Sequence, residues 1–274
     1  MLFLRTAYKE QLAITRNACD QHDKMNEPND LYFKDDFTLG PGFETNYAVS
    51  LTSNSITYES ISAEISEKIE LDDVIGASVA QPNHGVNNVV SAYIRIYSYP
   101  FKKGWLFSAR RQRMEYVFEV SNRNSSAENL QVAENWVRSI RWLLIQKSDD
   151  KNLASKCEDD PPQQRFLIFI NPFGGKGTAK AMFEKEVQPM LEEANFQYEL
   201  KETEYMGHAR EIVQNLDDIN EFDCIVCCSG DGIINEVING VMSRPDWQES
   251  VKIPVAHIPC GSGNGLCASS LHHS

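Results

Sequence analysis

No stretch of these 274 residues stays apolar long enough to cross a bilayer, which takes about 20 such residues, and the opening MLFLRTAYKEQ is too short an apolar run for a secretory signal. Cations are in the minority: 26 Lys and Arg stand against 39 Asp and Glu, a formal charge of -13. That balance argues against a general nucleic-acid binder, which carries a basic excess or stripe. A disulfide framework is missing too. The 7 cysteines are odd in number and follow no repeating spacing, as expected in a reducing compartment rather than in a stapled scaffold. In that compartment the sequon at Asn124-Ser125-Ser126 would go unused. Cys224 and Cys227 form a C-x-x-C, but no second pair at zinc-ligand spacing accompanies them, and FDCIVCCSG around them reads as a buried strand. Internal repeats and low-complexity tracts are also absent.

With 42% hydrophobic and 24% charged residues, the chain has the composition of a globular protein long enough for two domains. Residues 147–164, KSDDKNLASKCEDDPPQQ, are charged, poor in large apolar groups and closed by two prolines, which suits an inter-domain linker. Residues 1–46 are polar and irregular and are expected to be poorly ordered. From 47 to 146 come short segments with strand character: YAVSLT, SITYESIS, EKIELDDVIGASVA, AYIRIYSYPF, WLFSA and MEYVFEVS. Tyr93, Arg95 and Tyr97 alternate with Ile94 and Ile96, the period of a sheet with one buried face. Leu130, Ala133, Val137, Ile140 and Leu144 then recur at helical spacing. Antiparallel strands closed by one helix resemble a pleckstrin-homology-like module. Arg110, Arg111 and Arg113 in SARRQR suit either an anionic lipid headgroup or a solvated edge strand protected by charge.

Beyond the linker the pattern becomes strand and helix in alternation. Strands are expected at Phe166 to Ile170, Phe196 to Thr203, Cys224 to Ser229 and Ile253 to Pro259. The apolar faces of the intervening helices carry Phe183, Val187 and Leu191, then Ala209, Ile212, Val213 and Leu216, then Ile234, Val237, Ile238 and Val241. Pro189 opens a second short helix. Such alternation implies an α/β layer with a parallel sheet, and in such a layer functional loops gather beyond the carboxyl ends of the strands.

Four loops leave those ends: NPFGGKGT, KETEYMGHA, SGDGIINE and PCGSGNG. Glycine lets backbone N–H groups converge on a phosphate, and a helix starting near Thr178 would add the positive end of its dipole. A tight turn alone is the competing reading. The first loop is neither a Walker A loop, since Ile170 and Gly177 occupy two of its required positions, nor a G-x-G-x-x-G turn. In the third loop Asp231 lies between Gly230 and Gly232 at the start of a helix. There it is placed to accept a proton from an attacking hydroxyl, or simply to cap the helix. Glu236 either touches a metal-bound nucleotide or solvates its helix.

INPFGGKG, SGDGIINEVINGVMSRPDW and IPCGSGNGLCASSLHHS, in this order, resemble the catalytic region of the diacylglycerol-kinase-type lipid kinases. SGDG, rather than GGDG, and NG-x-M-x-RPDW favour the sphingosine kinases among them. The likeness is strong over 165–274 and weak over the upstream module. It implies an ATP-dependent kinase for the primary hydroxyl of sphingosine or related sphingoid bases, with Mg²⁺ as co-ion. Ceramide or diacylglycerol kinase, or a truncated non-catalytic adaptor, is the alternative. It further implies a cytoplasmic protein recruited peripherally to membranes, without a nucleic-acid partner. The resemblance places nucleotide at Asn171, Pro172, Phe173, Gly174, Gly175, Lys176 and Gly177, with Phe173 standing where a polar or basic residue is more usual. It adds Thr203, Glu204, Tyr205, Met206 and Gly207, then Glu236, and Gly261, Ser262 and Gly263. The lipid hydroxyl would be bordered by Ser229, Gly230, Asp231 and Gly232, with Asp231 as general base and no protein metal site. The family's catalytic region is implied to be bilobal. Residues 165–274 match its first lobe, and the expectation is that this lobe alone is inactive.

Overall fold

Ile94 and Ile96 are each 1% exposed while Arg95 between them lies in solvent, as a strand with one buried face requires. They belong to a computed structural model that describes residues 31–40, 45–62, 65–80, 91–103, 109–145, 159–173 and 177–271. These divide into two compact units parted between Pro162 and Gln163, at the end of the expected linker. The expected WLFSA strand, except Ala109, and most of the linker lie outside the described residues.

In the first unit, β1 (Leu31–Leu39), β2 (Asn46–Thr52), β3 (Ser55–Ser60), β4 (Ser66–Glu70), β5 (Val74–Ala80), β6 (Ala92–Ser98) and β9 (Met114–Val120) form one antiparallel sheet. Its order is β4-β3-β2-β1-β9-β6-β5. A separate hairpin pairs β7 (Phe101–Lys103) with β8 (Ala109–Arg111). One long helix, α1 (Ser126–Ile145), packs Ala133, Trp136, Val137 and Ile140 into the core that the sheet supplies. Its start is a capping box: Ser125 Oγ accepts the Glu128 N–H at 3.2 Å, and the Glu128 carboxylate reaches back to the Asn124 N–H. The sequon residues are therefore the helix cap.

The sheet departs from expectation at β1, which lies within the stretch thought to be poorly ordered. Asp35 and Asp36 hide it from a hydropathy reading, yet Phe33 and Phe37 pack on Trp136 with ring centroids 5.7 and 5.2 Å away. Asp35 faces the same helix and accepts the Trp136 indole N–H at 3.1 Å while pairing with Arg123. A half-buried carboxylate so satisfied carries little penalty. The pleckstrin-homology likeness reaches as far as this antiparallel sheet and its closing helix.

The second unit is a parallel sheet of β10 (Arg165–Ile170), β11 (Gln197–Glu202), β12 (Cys224–Ser229) and β13 (Val255–Pro259), in the order β11-β10-β12-β13. On one face Phe166, Ile168 and Ile170 meet Phe183, Val187 and Leu191. These come from α2 (Ala179–Met182), a π turn over Phe183–Val187, and α3 (Gln188–Glu193), which has Pro189 in its first turn as expected. On the other face Leu167 and Phe169 meet α4 (His208–Asn215) and α5 (Asp231–Met242) through Ala209, Val213, Val237 and Val241. Two short helices follow, α6 (Trp247–Ser250) and α7 (Gly265–Leu271). Alternation along β12 sends Cys224 and Cys228 to one core and Cys227 to the other. The C-x-x-C thiols therefore point to opposite faces and cannot share a metal or a bridge. Burial pushes Cys224 up to about 12 and raises Cys227 and Cys228 as well, so all three are inert packing groups.

The RPDW segment has a structural task. Buried Arg244 donates at 2.7 Å to the carbonyls of Val213 and Leu216, which the end of α4 leaves open, and at 2.7 Å to Asp246. The hydrogen bond from Arg244 holds the Asp246 carboxyl down at about 2, from an ordinary 3.8. A depressed carboxyl stabilises the fold above its unfolded value and loses that contribution as the pH falls through the folded one. Asp246→Asn is thus expected to be less stable than the parent at pH 7, with the difference shrinking below about pH 4 and lost as the pH falls through about 2. Urea melts across this range check it; a constant difference would show that Asp246 acts through packing alone.

Candidate active site

The four loops at the carboxyl end of the parallel sheet enclose one cleft of about 700 Å³, a size that suits a nucleotide-like ligand. Asn171 and Phe173 line it from the first loop and Thr203 to Met206 from the second. Ser229 to Gly232 with Glu236 line it from the third, and Gly261 to Gly263 from the fourth. Pro172, Gly177 and Gly207 shape the turns without lining the cleft, whereas Gly174, Gly175 and Lys176 lie outside the described residues.

Each loop is braced locally. Asn171 Oδ1 accepts the Phe173 N–H at 2.9 Å, turning the chain away from β10. Thr203 is buried, and its N–H donates to the Ile170 carbonyl at 2.9 Å. Tyr205 stacks on His208 at 4.5 Å and donates to Glu211 at 2.7 Å, a bond that raises the phenol above its ordinary value. His208 Nδ1 in turn accepts the Glu204 N–H at 3.1 Å.

The third and fourth loops are packed backbone against backbone. A Cβ at Gly261 would sit 2.4 Å from both Cα and N of Gly230, and one at Gly230 would sit 2.7 Å from the Gly263 carbonyl oxygen. Only glycine permits that approach. The Asp231 N–H donates to the Gly263 carbonyl at 3.1 Å, and Asn264 clamps Gly261 by accepting its N–H at 3.3 Å and donating to its carbonyl at 2.8 Å. Gly232 and Gly263 differ: a Cβ at either would meet nothing within 4 Å. Nothing in the packing requires glycine there, and at Gly232 it costs helix stability.

Asp231 is both the first residue of α5 and the anchor of α7. Its Oδ2 accepts the Gly265 N–H at 2.7 Å and its Oδ1 the Leu266 N–H at 3.1 Å. Asp231 does not cap α5, contrary to the capping reading; it caps the helix that follows the fourth loop. Each oxygen keeps a lone pair for a further donor. Glu236 has a similar second duty, accepting the Ala209 N–H at 3.2 Å at the start of α4. The carboxylates lining the cleft, Glu204, Asp231 and Glu236, face no lysine or arginine among the described lining residues. No group of three or more His, Cys, Asp or Glu gathers as a metal site among the described residues.

Residues 165–272 match the profile of the diacylglycerol kinase catalytic domain. The chain is also similar to curated proteins named for sphingosine. Sphingosine kinase 2 of Homo sapiens is 33% identical over 245 residues, covering 87% of this chain and 36% of its own. Sphingosine kinase 1 of Arabidopsis thaliana is 50% identical over 108 residues, covering 39% of this chain and 22% of its own. Sphingosine kinase 1 of Homo sapiens is 44% identical over 114 residues, covering 42% and 29%. The chain thus spans about a third or less of the lengths of these relatives.

Three residues that brace the cleft were not evident from the sequence. Asn264 carried a signal, an asparagine three residues after a turn glycine. His208 carried none, since its stacking on Tyr205 depends on the left-handed turn at Gly207. Neither did His257 on β13, buried with its Nε2 2.7 Å from the Ser229 carbonyl, where it ties the last strand to the start of the third loop.

Proposed function

We propose that this chain carries the nucleotide-binding lobe of an ATP-dependent lipid kinase that phosphorylates the primary hydroxyl of sphingosine or related sphingoid bases. One observation carries the reading: the loops at the sheet's carboxyl end share a cleft in which the Asp231 carboxylate stands at the start of α5, and Gly232 and Gly263, which the packing does not require, line the same cleft. The names of the relatives point the same way for substrate.

ATP supplies the phosphoryl group when bound. The cleft suits it: the open sides of Gly232 and Gly263 leave backbone within reach of phosphate, and the first-turn N–H groups of α5 present partial positive charge. A cleft lined by carboxylates favours a nucleotide that arrives with Mg²⁺ on its phosphates over the free anion. In the proposed reaction Asp231 takes the proton of the lipid hydroxyl as its oxygen bonds to the γ-phosphorus and the bond to the β-phosphate opens. Ser229 to Gly232 border the hydroxyl. Asn171 and Phe173 with Gly261 to Gly263 flank the phosphates, and Thr203 to Met206 line the other wall. Glu236 holds α4 against α5. The antiparallel unit is read as a pleckstrin-homology-like module, and the protein as cytoplasmic and recruited to membranes, where its substrate resides.

The test is transfer of radiolabelled phosphate from ATP to sphingosine, ceramide or diacylglycerol by the longest form that the transcript encodes. Labelled sphingosine supports the reading. Preferential labelling of ceramide or diacylglycerol overturns the substrate assignment, and labelling of no lipid overturns the enzyme in favour of an adaptor.

A further inference from the structure

On a chain with a net charge of -13, residues 101–113, FKKGWLFSARRQR, hold Lys102, Lys103, Arg110, Arg111 and Arg113 and no carboxylate. The fold divides their tasks. Arg111 is an anchor, donating at 2.8 Å to Asp73 and at 2.8 Å to the Tyr99 carbonyl, with its guanidinium 3.9 Å from the centre of the Phe101 ring. Arg113 pairs with Glu115 at 3.0 Å. Lys102 and Arg110 do neither. They are register partners across the β7–β8 hairpin, both exposed, and no carboxylate pairs with either among the described residues. Beside them Phe101 is 62% exposed.

Like charges placed directly across a strand pair repel and cost stability. Edge protection does not demand this arrangement, because one charge suffices to discourage strand addition and an exposed phenylalanine works against it. We infer that the β7–β8 hairpin is a docking surface for an anionic membrane, with Lys102 and Arg110 meeting lipid headgroups and Phe101 entering the interface. An anionic surface relieves the Lys102–Arg110 repulsion, and the overall negative charge confines attraction to this patch. The inference gives the proposed membrane recruitment its surface. Vesicle binding is read without substrate or nucleotide, so docking and phosphoryl transfer can fail separately.

The experiment is sedimentation of the whole chain with phosphatidylcholine vesicles, plain or doped with phosphatidylserine. Wild type is expected to bind the doped vesicles alone and to release as salt rises from about 0.1 to about 1 M, where the screening length shortens from about 10 to about 3 Å. Lys102→Ala/Arg110→Ala should weaken binding about 30-fold, roughly fivefold for each cation removed. Lys102→Arg/Arg110→Lys should restore it, and Lys34→Ala, an exposed lysine on β1, should leave it unchanged. Equal binding to plain vesicles, or full binding by the double alanine variant, overturns the inference. A double variant that aggregates with its vesicle binding intact would assign the charges to edge protection instead.

Discussion

Asp231→Asn is expected to lower kcat for lipid phosphorylation by roughly 10²-fold or more while nucleotide affinity changes little. The amide keeps the carboxylate's shape, so the cleft keeps its walls, but it cannot take the hydroxyl proton. The geometry adds a second effect that must be separated from the first. With the amide oxygen on the Gly265 N–H, at 2.7 Å the shorter of the two bonds, the NH₂ group faces the Leu266 N–H and the bond between Asp231 and Leu266 is lost. Both backbone groups belong to exposed residues, where water can substitute, so the loss of this cap costs about 1 kcal/mol. Asn264→Ala is the control, because it loosens the clamp on Gly261 without touching the proton acceptor. If Asp231 is the base, Asp231→Asn acts on kcat and Asn264→Ala acts mainly on KM for ATP. Turnover by Asp231→Asn within a few-fold of the parent would reduce Asp231 to a capping residue.

Gly261→Ala and Gly232→Ala are expected to fail in opposite ways. At Gly261 the new methyl meets backbone atoms 2.4 Å away, which no rotamer change relieves, so the third and fourth loops must part. Overpacking of this kind costs about 1–3 kcal/mol, occasionally more. Separation also breaks the bond from the Asp231 N–H to the Gly263 carbonyl. Nucleotide binding and thermal stability should therefore fall together. At Gly232 the methyl meets nothing within 4 Å and lies in the first turn of α5, where alanine is favoured over glycine by up to about 1 kcal/mol. This variant should melt at or above the parent temperature and still lose most phosphoryl transfer, because the methyl occupies space that the ligand needs. Calorimetry beside the transfer assay reads both. If Gly232→Ala retains full activity, the open side of this glycine does not face the ligand.

Periodicity in the sequence determined a good part of this protein. Buried runs such as FLIFI and CIVCCS, separated by helices with apolar faces, could only become central strands of a covered parallel sheet, and Ile94 and Ile96 against Arg95 could only become a half-buried strand. Glycine-rich stretches at the carboxyl ends of those strands marked where the cleft would form, since sheet topology alone carries them to one end. The inner strand β1 was not legible, because Asp35 and Asp36 mimic a loop until Trp136 and Arg123, about a hundred residues downstream, supply the partners of Asp35. Nor could the sequence sort its glycines. Gly230, Gly232, Gly261 and Gly263 look alike in a row of letters, and only the approach of two loops shows that the first and third are held by backbone contact while the other two open onto the cleft. The capping duty of Asp231 was hidden for the same reason: its acceptor atoms serve a helix 34 residues away, and a local reading of caps sees only the helix that begins beside them. Pattern within a strand or helix is a local property and survives in the sequence. Which backbone donor meets which distant carboxylate is decided only when the sheet brings their loops together.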